Sequence, residues 1–286
     1  MARAVAEAGA TLANPRKRIS GRGSTMPKVS VVPLEKIVPV ETPPGFSGKA
    51  STAAYLAGGR DPLHLHLHSV EPGASLRIGP LAVDCLAYVW TGEVEADGHR
   101  LAAGSSLVVE HGAALAITGG LAPAKLLTFA AADVPQSARP GGHVHLLPVE
   151  RVERVSGMMQ GVNGGMHFDS ACPTCEIWLH ENEFTPAFLT PETERRSPHS
   201  HTEDEIIFVT AGQMKLGNRL YGPGTALAVS AETMYSFNPG PEGLSFINFR
   251  AATPGDIRRA DGNSSSETGG WRRQLGGKRP DYIEPA

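Results

Sequence analysis

The residues best suited to chemistry cluster in the stretch 197–212, SPHSHTEDEIIFVTAG, where His199 and His201 stand two residues apart and Glu205 follows four later. Two imidazoles and one carboxylate form a mixed ligand set for a divalent metal, of the kind that leaves coordination positions open. Side chains alternate faces along an extended strand, so a regular strand here would aim all three the same way. The apolar run Ile206–Val209 is β-branched and aromatic, which favours strand over helix, and Gly212 supplies a turn. Glu203 shares the predicted face and is the rival carboxylate, whereas Asp204 points the other way. A lone H-x-H also occurs on polar surface loops. The carboxylate, the apolar run and the glycine turn weigh for ligation.

Other reactive residues are weaker candidates. His64, His66 and His68 share one strand face opposite Leu63, Leu65 and Leu67, but no carboxylate accompanies them. A half-polar barrel face or an interface is the expectation there. Cys172-Pro-Thr-Cys175 is an isolated C-x-x-C pair. Its redox form opens a helix, yet an expected strand, 176–181, follows it, and three cysteines cannot make a four-cysteine zinc site. The pair is therefore read as structural, and Cys85 as a small core residue. Arg195 and Arg196 precede the histidines and could hold a carboxylate substrate bidentately or form a solvated loop. Trp178, His180, Met214 and Asn248 could reach the same pocket.

These residues need a scaffold. The chain has 286 residues, 41% hydrophobic, enough for one large or two small domains. Its 33 glycines and 23 prolines favour many short strands. A net charge of −3 gives no general attraction to nucleic acid or anionic membrane, and no apolar stretch approaches the roughly 20 residues of a membrane span. Three cysteines suit a reducing compartment, so a cytoplasmic location is expected.

Residues 1–28 read as a disordered basic tail, with six Lys or Arg against one acid. From Val29 onward strand follows turn, beginning with the strictly alternating Leu63–His68. Sliding the chain by 120 residues lays CLAYVWTG (85–92) on EIIFVTAG (205–212) without a gap. Gly104 then falls on Gly224, Leu107 on Leu227, and Phe129-Ala-Ala-Ala on Phe249-Arg-Ala-Ala. Shared glycines and apolar positions at one offset argue for two copies of one unit. At that offset His199, His201, Glu205 and Tyr235 map to Gly79, Leu81, Cys85 and Leu115, so the first copy has no ligand set.

The spacing from His199 to Gly212 resembles the first motif of the cupin superfamily, G-x5-H-x-H-x3-E-x6-G, although Thr193 stands where its opening glycine belongs. The second cupin motif, G-x5-P-x-G-x2-H-x3-N, is met at Gly224. Ser230, Glu232 and Tyr235 replace its proline, glycine and last histidine, and Asn238 comes one residue early. The resemblance implies an all-β chain of two jelly-roll cupin barrels, a bicupin, with few helices. The expected division is a degenerate barrel at 29–140, a metal-binding barrel at 141–252 and a tail at 253–286, loose unless Trp271 or Tyr282 pins it. It implies a Mn, Fe, Ni or Zn ion held by His199, His201 and Glu205. Tyr235 would stand beside the ion on a strand, 233–238, as ligand, proton donor or packing aromatic. The layout is similar to ureidoglycine aminohydrolases and to quercetinase-like dioxygenases, which leaves oxygen chemistry and hydrolysis or isomerisation both open. A small polar organic substrate and a homodimer follow from the same resemblance. The competing expectation is a non-catalytic ligand-binding or sensing protein.

Overall fold

A computed structural model describes residues 29–59, 61–132, 139–190 and 198–285. The basic tail, Arg195 and Arg196 lie outside the described residues.

Four sheets account for nearly all regular structure, and every strand pairing is antiparallel. Among the described residues one α-helix occurs, Glu267–Gln274. The large sheet of the first half has seven strands, with Cys85–Thr91, Ala124–Ala131 and Leu63–Val70 adjacent at its centre. It packs on a five-stranded sheet, and side chains from both, such as Val89, Leu126, Leu76 and Ile117, fill the space between. The second half repeats the plan with eight strands, in which Glu205–Leu216, Asn238–Arg250 and Trp178–Phe184 are adjacent. Its opposing sheet has only three short strands: His199–Ser200, Asp256–Arg259 and Ser264–Ser266. The sheets do not close into barrels; they form jelly-roll sandwiches.

The 120-residue repeat is visible in the registers. Leu86 opposes Phe129 in the first half, and Ile206 opposes Phe249 in the second. The Phe129 and Phe249 rings meet 5.1 Å apart in a core built from both halves. The repeat-mates Trp90 and Thr210 also touch, indole Nε1 donating to the carbonyl at 3.5 Å. Gly92 and Gly212 both turn through the left-handed region, at φ of 75° and 66°. At each, a β-carbon would strike a backbone oxygen, Pro123 O at 2.5 Å and Gly243 O at 2.4 Å, so only glycine fits.

Each large sheet also carries an edge strand from the other half of the sequence. Val29–Val32 pairs with Ala226–Val229, and Val144–Leu147 pairs with Ser106–Val109. This protects two edges and ties the halves together.

The stretch after Pro254 is ordered rather than loose. The Ser266 hydroxyl accepts from Gly269 N–H at 3.1 Å and caps the helix. Trp271 is buried from that helix beside Met166 and Trp178. Tyr282 stacks on Phe168 at 4.9 Å, and Ile283 pairs with Leu146. A polar, glycine-rich composition concealed these few anchors.

Candidate functional site

Alternation on three adjacent strands builds the floor of the site. On Asn238–Arg250, Ile247 and Phe249 face the shared core, while Phe246, Asn248 and Arg250 face the space between the sheets of the second half. His180 opposes Asn248 and Ile207 opposes Asn248 on the other side, so both join that face. The cavity above measures about 390 Å³, within the range of small-molecule sites. His199, His201, Tyr235 and Phe237 line it from the opposing side, and Glu267 and Trp271 reach it from the helix.

The expected regular strand through both histidines and Glu205 is not present. His199 begins a short strand of the smaller sheet, residues 201–204 turn, and Glu205 opens the long strand of the larger one. The turn leaves His201 and Glu205 on facing sheets, Nε2 lying 3.8 Å from Glu205 Oε2. Glu203 is directed away, receiving Gly255 N–H at 3.2 Å. Asp204 accepts Ala231 N–H at 2.8 Å outside the cavity. Tyr235 stands on an isolated bridge to His199, with both backbone hydrogen bonds at 3.0 Å, rather than in a strand. Its ring packs 4.7 Å from that of His199.

The largest surprise is Arg250. Its guanidinium is buried and joins two carboxylates, donating through Nη2 to Glu205 Oε2 at 2.8 Å and through Nη1 to Glu267 Oε2 at 2.6 Å. Asn248 Nδ2 also donates to Glu205 Oε2 at 2.8 Å. Burial alone would raise the pKa of Glu205. Arg250, then His201, Tyr235 and Asn248, outweigh burial and hold it below the usual carboxylate range. The same balance, led by Arg250 and then His201, holds Glu267 low. Burial raises the Tyr235 phenol, and the Glu205 charge raises it further, so it stays protonated. Burial pushes His180 down to about 3, and Trp178 Nε1 donates to its Nδ1 at 2.8 Å, which puts the remaining proton on Nε2.

His201 and Glu205 carry atoms of the kind that hold a metal ion, and the Arg250 guanidinium touches both. His201 Nδ1 lies 3.0 Å from Glu267 Oε2. The Arg250 guanidinium, which can only donate, lies 3.1 Å from the same Nδ1 through Nη2, so Arg250 and Glu267 both fix the ring. Glu205 Oε1, Asn248 Oδ1 and Arg250 Nε are buried without a partner among the described residues. Such atoms are costly to leave unpaired; Asn248 and Arg250 border the cavity, whereas Glu205 lines a separate small cavity with Asp204 and Ser230.

Arg250 and Glu267 were not foreseen. Arg250 left a trace: Asn248 and Arg250 are polar at alternate positions beside the apolar Phe246, Ile247 and Phe249, and Ala130 occupies the repeat-mate of Arg250. Glu267 left none, because nothing local distinguishes it within a Ser- and Gly-rich tail. His64, His66 and His68 project between the first-half sheets. His68 lies 3.0 Å from Thr52 Oγ1 and 2.9 Å from Thr128 Oγ1. Cys85 is fully buried, as expected. The C-x-x-C pair lies beside Glu110 and His145, where four donor atoms fall within 4.8 Å of one another.

No family model matches the chain, and no curated protein does. Solved structures match over most of its length. Protein Ylba from E. coli is 13% identical, with a TM-score of 0.59 over 84% of this chain and 98% of that one. The formate complex of oxalate decarboxylase from Lactobacillus farciminis is 12% identical, at 0.59 over 83% and 88%. A mutant of Bacillus subtilis oxalate decarboxylase OxdC is 12% identical, at 0.57 over 86% and 80%. These likenesses show the fold alone, a pair of jelly-roll units of the bicupin type.

Proposed function

We propose that the second-half cavity is the working site of a cupin metalloenzyme acting on a small polar organic molecule. His199, His201 and Glu205 would hold one divalent ion, Mn, Fe, Ni or Zn. The supporting observation is that His201 Nε2 lies 3.8 Å from Glu205 Oε2, with Glu205 Oε1 buried and unpartnered among the described residues, beside a cavity lined by His199, His201 and Tyr235. The ion would polarise a substrate oxygen or activate water or dioxygen. Tyr235, protonated beside Glu205, would donate a proton or hydrogen bond to the bound molecule. Phe237 and Trp271 would wall the cavity and exclude water. Arg250 fixes both carboxylates, keeping Glu205 ionised and Glu267 aimed at His201.

The names of the structural neighbours make small carboxylic acids the first substrates to screen. Oxygen uptake separates a dioxygenase from a hydrolase or isomerase. A homodimer, to be checked by light scattering, and a cytoplasmic location belong to the same reading. All three cysteines are free, and no helix among the described residues is long and apolar enough to cross a membrane.

A second reading rests on Arg250. It already places a positive charge between Glu205 and Glu267, which a metal-free ligand-binding or sensing protein would need. Elemental analysis of wild type and His201→Ala separates the two. The enzyme reading expects His201→Ala to lose about one ion per chain, and unchanged metal content would overturn it.

A further inference from the structure

The geometry points to a second, structural metal centre, a closed zinc site formed by Cys172, Cys175, His145 and Glu110 where the two halves meet. It does not depend on the function proposed for the cavity. The four donors come from three segments. Glu110 follows the strand Ser106–Val109 of the first-half sheet. His145 lies on Val144–Leu147, the edge strand added to that sheet. The cysteines lie on the loop joining Val162–Asp169 to Trp178–Phe184 in the second half. All four side chains are buried, and the cysteines are free thiols.

The spacing fits zinc. Zn–S bonds of about 2.3 Å and Zn–N or Zn–O bonds of about 2.0 Å, at tetrahedral angles, set sulfur about 3.5 Å from nitrogen or oxygen. Cys172 Sγ is 3.6 Å from His145 Nε2 and 3.7 Å from Glu110 Oε1. His145 Nε2 and Glu110 Oε1 are 2.8 Å apart, a pair that an ion would spread to about 3.3 Å. Two soft thiolates with an imidazole select zinc over the harder Mg or Ca. Four protein donors leave no open position, which marks a structural rather than a catalytic site.

The surroundings suit ligation. Thr174 N–H points at Cys172 Sγ, 3.4 Å away, and would stabilise a thiolate. The Arg139 guanidinium gathers the carbonyls of Ser170, Cys172 and Cys175, holding the loop in shape. Its charge balances the one net negative left by two thiolates and a carboxylate on a divalent ion. His145 Nδ1 is buried with no hydrogen bond, 3.6 Å from Glu284 Oε1, where a carboxylate would orient a ligating imidazole. The pairing of Ile283 with Leu146 brings Glu284 there. Zinc at this point would fasten both halves and the C-terminal segment together.

The test uses the full chain, purified without chelator. Wild type should carry about one zinc at this centre. Cys172→Ser/Cys175→Ser should lose it, and His201→Ala should keep it. Cobalt should replace the zinc and give intense thiolate-to-cobalt charge-transfer bands in wild type, a readout that does not need the variant to fold. Chelation should lower the thermal unfolding midpoint of wild type. Absence of thiolate–cobalt bands, or a Cys172–Cys175 disulfide that blocks both thiols to alkylation, would overturn the proposal.

Discussion

The two halves share a floor plan but not a chemistry. Registers place His66 opposite Thr128 in the first half and His180 opposite Asn248 in the second. Cys85 and Ala130 face each other where Glu205 and Arg250 stand in the second half, one register position on. The first-half cavity, about 400 Å³, is lined by Phe46, Leu81, Cys85 and Phe129, with His64 and His66. Burial pushes His66 down to about 4 and the neighbouring His68 to about 3, so these two stay neutral. Five strands cover the first half and three the second, and the helix Glu267–Gln274 completes the second cover. One unit lines its cavity with apolar side chains and histidines. Its copy carries a buried ion network and three polar atoms without partners. Duplication supplies the scaffold, and a few inward positions set what each copy buries.

The strongest way to break this contrast is to remove the cation. Arg250→Leu leaves Glu205 and Glu267 buried and unpaired, and should cost about 3–5 kcal/mol in denaturant unfolding. Cys85→Glu imposes a comparable penalty on the first half. Adding Ala130→Arg to Cys85→Glu should recover part of it. A double variant no more stable than the single one would show that the second-half network needs more than these two positions.

Acid should act on the first half through its histidines. Unfolded histidine takes up a proton below about pH 6.5, whereas folded His66 and His68 refuse one until about 4 and 3. The unfolded state therefore binds more protons in that window, and stability falls as pH drops from about 6.5 to 4. Each histidine contributes a slope of roughly 1.4 kcal/mol per pH unit. His68→Gln should flatten the dependence by one such share, measured as unfolding free energy against pH. Glu205 and Glu267, held low, contribute stability above the unfolded carboxylate value and lose it only in stronger acid. An unchanged slope in His68→Gln would place the protonation elsewhere.

Tyr235→Phe should have a smaller effect. It removes a hydroxyl beside Glu205 at a cost of about 1 kcal/mol, and it should leave bound metal in place while lowering turnover. Loss of metal in Tyr235→Phe would make the phenol a ligand.

Much of this was legible in the chain. Alternation, glycine turns and the 120-residue offset point to two β units, because strand periodicity and left-handed turns are local properties. His199 and His201 of the singled-out stretch line the cavity, and a turn between sheets, not a shared strand face, sets them apart from Glu205. Arg250 was half-legible, as a charge next to the apolar Phe246, Ile247 and Phe249. Glu267 and the meeting of Glu110, His145, Cys172 and Cys175 were not. Cys172 stands 27 residues from His145 and 62 from Glu110 in sequence. Such partners join only when an edge strand and a loop cross between halves.

Metal content of His201→Ala against wild type tests the central claim most directly. A metal centre in the second-half cavity predicts that the variant loses about one divalent ion per chain while the zinc at Cys172 and Cys175 remains. The same metal content in both proteins would contradict it.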